Sequence, residues 1–334
     1  MISAPRDAPR LSDERFGQMS VCICLLCRDV NNHDVGEHIV FVEDRKVTFT
    51  GFSADGAVSK HDILVQNWWV QYAGNDVDTA PLVIEAVRSK ITGNEAPRLI
   101  GEALQEAWTQ YRDKEIETRI LRKHGYTFES FRDEGREKCG ESVYDQLHDR
   151  IDAFKFSLEF MLAGFDSQGI AHLMAISRDG ALSVYSELGF WAIGSGAHAA
   201  LSSLSFHVEH NNLCSCCSCV HNAVYFGCEA KFMAETSNEV GKEATSVTVH
   251  EDNEEEPQSF FNSEVEEIKK RWLKYGAPKP SEKAMLEIHR LMEKAPSARF
   301  AEARAKHMQG PQKRRANQQG SKTKAGGKDK VTAL

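Results

Sequence analysis

Residues 162–180 read LAGFDSQGIAHLMAISRDG, and this stretch decides the fold. Two short apolar runs, ending at Phe165 and Ile176, are closed by DSQG and SRDG, both turn sequences of the hairpin type. The pattern extends in both directions. FSLEFMLAGFDSQG begins it at Phe156, and ALSVYSELG and FWAIGSG continue it to Gly196. Runs of four to eight apolar residues between turn signals read as consecutive strands.

Upstream, SVCICLLC (residues 20–27), HIVFVED, KVTFTGF and DILVQNWWVQYAG are also strand-like. Between the two strand runs, TAPLVIEAVRSKI and the longer APRLIGEALQEAWTQYRDKEIETRILRKHG carry apolar residues at helical spacing. Asp78 and Thr79 can cap the first, with Pro81 in its first turn; Gly125 is a C′ glycine for the second. Residues 126–155 are charged and weakly helical. After the second strand run, AHAALSSLSFHVEH and HNAVYFGCEAKFMAETSNEV read as helices and ATSVTVHED as a last strand. Strands, two helices, strands, two helices and a strand predict an α+β fold of two packed sheets with a helix layer outside each.

The chain has 334 residues, 41% hydrophobic and 27% charged, ordinary values for a globular protein. Its net charge is −8 although residues 311–334 are basic, so the body is more acidic still. An acidic body argues against a nucleic-acid-binding surface. The sequence lacks the apolar run of about 18 residues that a membrane span needs. Residues 1–20 lack the apolar core of a secretory signal, so nine cysteines in this context point to reduced thiols in a cytoplasm. Residues 252–296 read as an acidic linker with short amphipathic helices, and 297–334 as a disordered basic tail. Residues 1–19 read as a leader, a propeptide or a start assigned too early, because Met19 stands directly before Ser20.

LAGFDSQGIAHLMAISRDG running into GFWAIGSGAHAALSSL, together with ETRILRKHGYTFESF and EAKFMAETSNEVG, resembles the proteasome β-subunit family of N-terminal nucleophile hydrolases, in particular its bacterial and phage branch. The resemblance covers residues 20–251 and implies a four-layer αββα sandwich. It also implies a nucleophile that is the first residue of the mature chain, which falls at Ser20. A free α-amine titrates near neutrality and can serve as general base for its own residue's hydroxyl. The family's lysine matches Lys60 in AVSKHDILV, and the carboxylate that holds it matches Asp44 in VFVED. Gly74 falls at the oxyanion-hole glycine, whose N–H is worth roughly 3 kcal/mol in such a role. Ser195, in the Gly194-Ser195-Gly196 turn, matches the second-half serine near the nucleophile.

Three positions depart from the family. Serine replaces its usual threonine and lacks the methyl that fixes the rotamer. Arg45 follows Asp44 directly, displaced from the usual arginine position. The late supporting acidic residue falls near Glu235, Ser237 or Glu239, without a choice among them.

The expected activity is therefore hydrolysis of peptide bonds or a small amide, by a homo-oligomer with no cofactor. An ATPase partner has no support in the sequence. The rival expectation is a catalytically silent scaffold on the same fold. Cys214, Cys216, Cys217 and Cys219, with His221 nearby, could bind a metal, but four thiols within six residues strain a closed tetrahedral site. A loop in a reducing compartment is the simpler reading. Cys22 and Cys24 share one strand face and read as small buried side chains.

Overall fold

The computed structural model describes residues 20–27, 36–49, 52–54, 59–210, 219–236, 240–242, 244–252, 257–275 and 282–294. The leader 1–19, Cys214, Cys216, Cys217, Ser237, Glu239 and the tail from 295 lie outside the described residues. The fold is mixed α+β, built on two five-stranded antiparallel sheets.

The first sheet contains β1 (Cys22–Cys27), β2 (His38–Asp44), β10 (Phe190–Ile193), β11 (Thr245–Glu251) and β12 (Gln258–Phe260), in the order β10-β1-β2-β11-β12. The second contains β5 (His61–Val65), β6 (Trp68–Gly74), β7 (Leu158–Phe165), β8 (Ala171–Ile176) and β9 (Leu182–Val184), in sequence order. The opening stretch therefore forms a meander, with Gly169 at φ +75° and Gly180 at φ +82° in the two turns. KVTFTGF differs from the single strand expected of it: β3 (Val47–Phe49) pairs with β4 (Phe52–Ala54) as a separate hairpin.

β1 shows why its sequence is apolar at every position. It lies between β10 and β2, and both of its faces are covered. Ile23, Leu25 and Cys27 point to a core shared with α5 (Ala197–His210) and α6 (Val220–Ala234). Cys22, Cys24 and Leu26 point the other way, into a cluster with Ala73, Met161, Ala163 and Leu173 of the second sheet. The far face of the second sheet packs on α1 (Ala80–Arg88) and α2 (Pro97–Ile116) through Trp68, Trp108 and Phe160. Full burial of such side chains contributes roughly 1.5–3 kcal/mol each.

The second helix stops at Gly125, φ +81°, the glycine expected to end it, but it is not α-helical throughout: it widens into a π turn at Glu117–Leu121 and tightens into a 3-10 turn at Arg122–His124. α3 (Phe128–Cys139) and α4 (Glu141–Asp152) form a satellite around Phe131 and Leu147. Residues on both sides of Glu251 share one core: β12 pairs with β11, and α7 (Asn262–Tyr275) and α8 (Glu282–Lys294) bury Val265, Ile268 and Ile288 against α6. No helix among the described residues is long and apolar enough to cross a membrane.

Candidate active site

The site sits where the start of β1 meets the end of β2 and the entry to β5. Ser20, one residue before Val21 and two before β1, is 1% exposed. Lys60 lies one residue before β5 and is 2% exposed, an extreme value for lysine that requires paired hydrogen bonds. Its Nζ donates to Ser20 Oγ at 2.7 Å and to Asp44 Oδ1 at 2.5 Å.

Asp44 closes β2 and is fully buried. Besides the lysine, its Oδ1 accepts the Val21 N–H at 3.3 Å and its Oδ2 accepts the Gly241 N–H at 2.9 Å. The carboxylate thus ties together the lysine, the residue after Ser20 and the loop after α6. A buried ion pair with its remaining lone pairs satisfied is the arrangement in which burial of charge is tolerated.

Ser195, in the turn after β10, bonds the backbone of Ser20. The Ser20 N–H donates to Ser195 Oγ at 3.1 Å, and the Gly196 N–H donates to the Ser20 carbonyl at 3.1 Å. The turn requires glycine. Gly194 has φ +91°, and a Cβ there would stand 2.4 Å from the Ser20 carbonyl oxygen. Gly194 N–H is held in turn by Glu159 Oε2 at 3.1 Å.

Of the residues expected at the site, the structure brings Ser20, Asp44, Lys60 and Ser195 into one hydrogen-bonded cluster. Gly74 stands one step removed. It ends β6 at φ +134°, where a side chain would collide with the Ser157 carbonyl, and its neighbour Ala73 packs beside the Gly194 turn. Glu235 serves a different group: it pairs with the buried Lys231 and with Lys269 of α7, the latter at 2.5 Å. Burial lowers the Lys231 pKa, while Glu235 and then Asp44 oppose that shift.

Cys22 and Cys24 are fully buried, and burial pushes both thiols up. Cys219 precedes α6, and His221 Nε2 lies 2.7 Å from His289 Nδ1. Among the described residues no group of three His, Cys, Asp or Glu side chains is placed to hold a metal ion.

Sequence reading passed over Glu43. It is 3% exposed, and its carboxylate accepts the Lys60 backbone N–H at 2.9 Å. The signal available was its position, an acidic residue directly after the apolar run Ile39–Val42 in a strand buried at every position. No family model and no curated protein matches this chain.

Proposed function

We propose that the protein is an N-terminal nucleophile hydrolase of the proteasome-like kind, cleaving peptide bonds or a small amide with Ser20. One observation carries the reading: a lysine ammonium, itself held by a buried aspartate, donates to the hydroxyl of Ser20 at 2.7 Å. A structural ion pair has no need of a serine hydroxyl as its third member. The three apolar clusters support the αββα layer order, with α1 and α2 outside one sheet and α5 and α6 outside the other.

In a chain beginning at Ser20, the residue's nitrogen would be an amine, held by Ser195 Oγ and with a lone pair free. That amine takes the proton from Oγ as Oγ bonds to the substrate's carbonyl carbon. Lys60 stabilises the charge developing on Oγ, and the resemblance assigns the carbonyl oxygen, as it becomes an oxyanion, to the Gly74 N–H, one step from the cluster. The C–N bond then breaks, and the departing amine takes the proton from the Ser20 ammonium. Water, deprotonated by the same amine, cleaves the resulting ester and restores Ser20. Leu82 of α1 and Leu99 of α2, each 53% exposed, are apolar surface that a homo-oligomer would cover.

The burial of Ser20 in the longer chain favours a second reading, a silent scaffold, wherever residues 1–19 are retained. In that form the Ser20 nitrogen is an amide and cannot act as base. Both readings are tested with a library of peptidyl-aminocoumarin substrates, offered to the chain starting at Ser20 and to the full chain. The hydrolase reading predicts turnover only by the former and none by its Ser20→Ala variant. Turnover by neither form establishes the scaffold.

A further inference from the structure

Glu43 takes no part in the chemistry above, yet this buried carboxylate beside the site accepts three hydrogen bonds, and no cation among the described residues is paired with it. Oε2 accepts the Lys60 backbone N–H at 2.9 Å. Oε1 accepts Ser59 Oγ at 2.9 Å and Ser246 Oγ at 2.8 Å. Ser246 is its direct partner across the β2–β11 ladder, whereas Ser59 and Lys60 lead into β5 of the other sheet. Glu43 therefore bridges the two sheets where Lys60 enters the site. Its sequence neighbour Asp44 takes the same lysine by its ammonium. Successive residues of β2 thus hold the backbone and the side-chain end of one lysine.

A carboxylate is an expensive way to fill this position. Burial pushes the Glu43 pKa up, and the bonds from Ser246, Ser59 and the Lys60 backbone only partly offset it. Its ladder partner on β1 is Cys22, and two residues earlier the same strand face carries Phe41. An apolar residue would satisfy packing there. What it would not supply is an acceptor fixed on the Lys60 backbone.

We propose that Glu43 is a positioning residue: its carboxylate fixes the Lys60 backbone so that Nζ meets Ser20 Oγ and Asp44 at once. The proposal rests on the hydrolase reading. Lysine has a long, flexible stem, and a misplacement of about 1 Å in such a cluster can cost about a hundredfold in rate.

The test is the rate at which a β-lactone acylates the Ser20 hydroxyl in the chain beginning at Ser20, followed across pH. Glu43→Leu removes both acceptor oxygens, whereas Glu43→Gln can turn its amide so that Oε1 accepts the Lys60 N–H and Nε2 donates to a serine Oγ. The expected result for Glu43→Leu is a cooperatively folding variant, acylated about ten- to a hundredfold more slowly, with a displaced pH midpoint. Glu43→Gln, which keeps an acceptor for the Lys60 N–H, should recover most of the rate. If Glu43→Leu does not fold, Ser59→Ala takes its place and must slow acylation and move the midpoint in milder form. A folded Glu43→Leu or Ser59→Ala with the original rate and midpoint overturns the proposal. Failure of the unsubstituted chain to react at all is a different result: it removes the hydrolase reading, and this proposal with it.

Discussion

Lys60 and His61 are neighbours in sequence and occupy opposite kinds of interior. The Lys60 ammonium is met by Asp44 and Ser20. The His61 Nε2 is covered too, but among the described residues it has no hydrogen-bond partner. Around it stand the His250 ring at 5.2 Å, the Phe41 ring at 4.7 Å and, across the β5–β6 ladder, Gln71, whose amide atoms are likewise buried without partners. Burial pushes the His61 pKa down to about 4. For His250 burial, then repulsion from His61, pushes it down to about 2. One cluster is built to hold charge and the other to refuse it, and a single step along the chain separates them. The difference lies in supplied partners: His61 as a residue is only partly buried, yet its covered Nε2 has none among the described residues, whereas the more deeply buried Lys60 Nζ has two.

The largest effect that would break this contrast comes from Asp44→Asn. It leaves the lysine buried without its counter-charge, and urea denaturation should show a loss of about 3–5 kcal/mol. Adding Lys60→Met should recover most of that loss, because the cost lies in the orphaned charge. A double variant as unstable as the single one would contradict the paired-charge account.

Gly194→Ala probes the turn that positions Ser195. With φ +91° and the Ser20 carbonyl oxygen 2.4 Å from the new Cβ, the backbone must move. Thermal or urea unfolding should show a loss of at least roughly 1–3 kcal/mol, the cost of the backbone conformation alone.

The histidine cluster sets a pH dependence of definite sign. Both folded-state pKa values lie below the ordinary histidine value, so in acid the unfolded chain binds protons that the folded chain refuses. Stability should therefore be complete above about pH 6.5 and fall as pH drops towards the value of about 4 for His61. Each histidine contributes a slope of up to about 1.4 kcal/mol per pH unit. Glu43, with a raised pKa, contributes in the opposite sense, and replacing histidines leaves its term in place. Denaturation of the unsubstituted chain and of His61→Phe/His250→Phe across this window isolates the difference. The double variant should show the shallower decline. Parallel declines would mean that the histidines titrate normally.

At the far end of the scale, Arg98→Ala removes an exposed i,i+4 pair with Glu102 in α2. It should change stability by no more than about 0.5 kcal/mol. A larger loss would contradict the distinction between buried and exposed ion pairs.

Strand patterning made the meander from Leu158 to Val184 legible, since DSQG and SRDG fix its turns and alternation fixes its faces. The pairing of β1 with both β10 and β2 was not legible, because a strand buried on both faces shows no alternation. β12 and the burial of α7 were hidden by the acidic composition around residues 252–256, which reads as a break in the core. At the site, Asp44, Lys60 and Ser195 were reached through a resemblance, and nothing in their local spacing alone sets them beside Ser20. Glu43 escaped because its donors, the Lys60 backbone N–H and the hydroxyls of Ser59 and Ser246, come from segments far from it in sequence, and a backbone donor leaves no letter. Similarly, the partners of Glu235 depend on a helix, α7, that local patterning could not dock.

The most direct test of the central claim is to map the adduct of a peptide epoxyketone on the chain translated from Met19, with that methionine removed. Such a reagent closes a ring only on a hydroxyl and a free amine of the same residue. The account predicts a single adduct, on Ser20, that consumes its α-amine and is absent in Lys60→Ala. A protein that begins at Ser20, is folded, and carries no adduct there would contradict it.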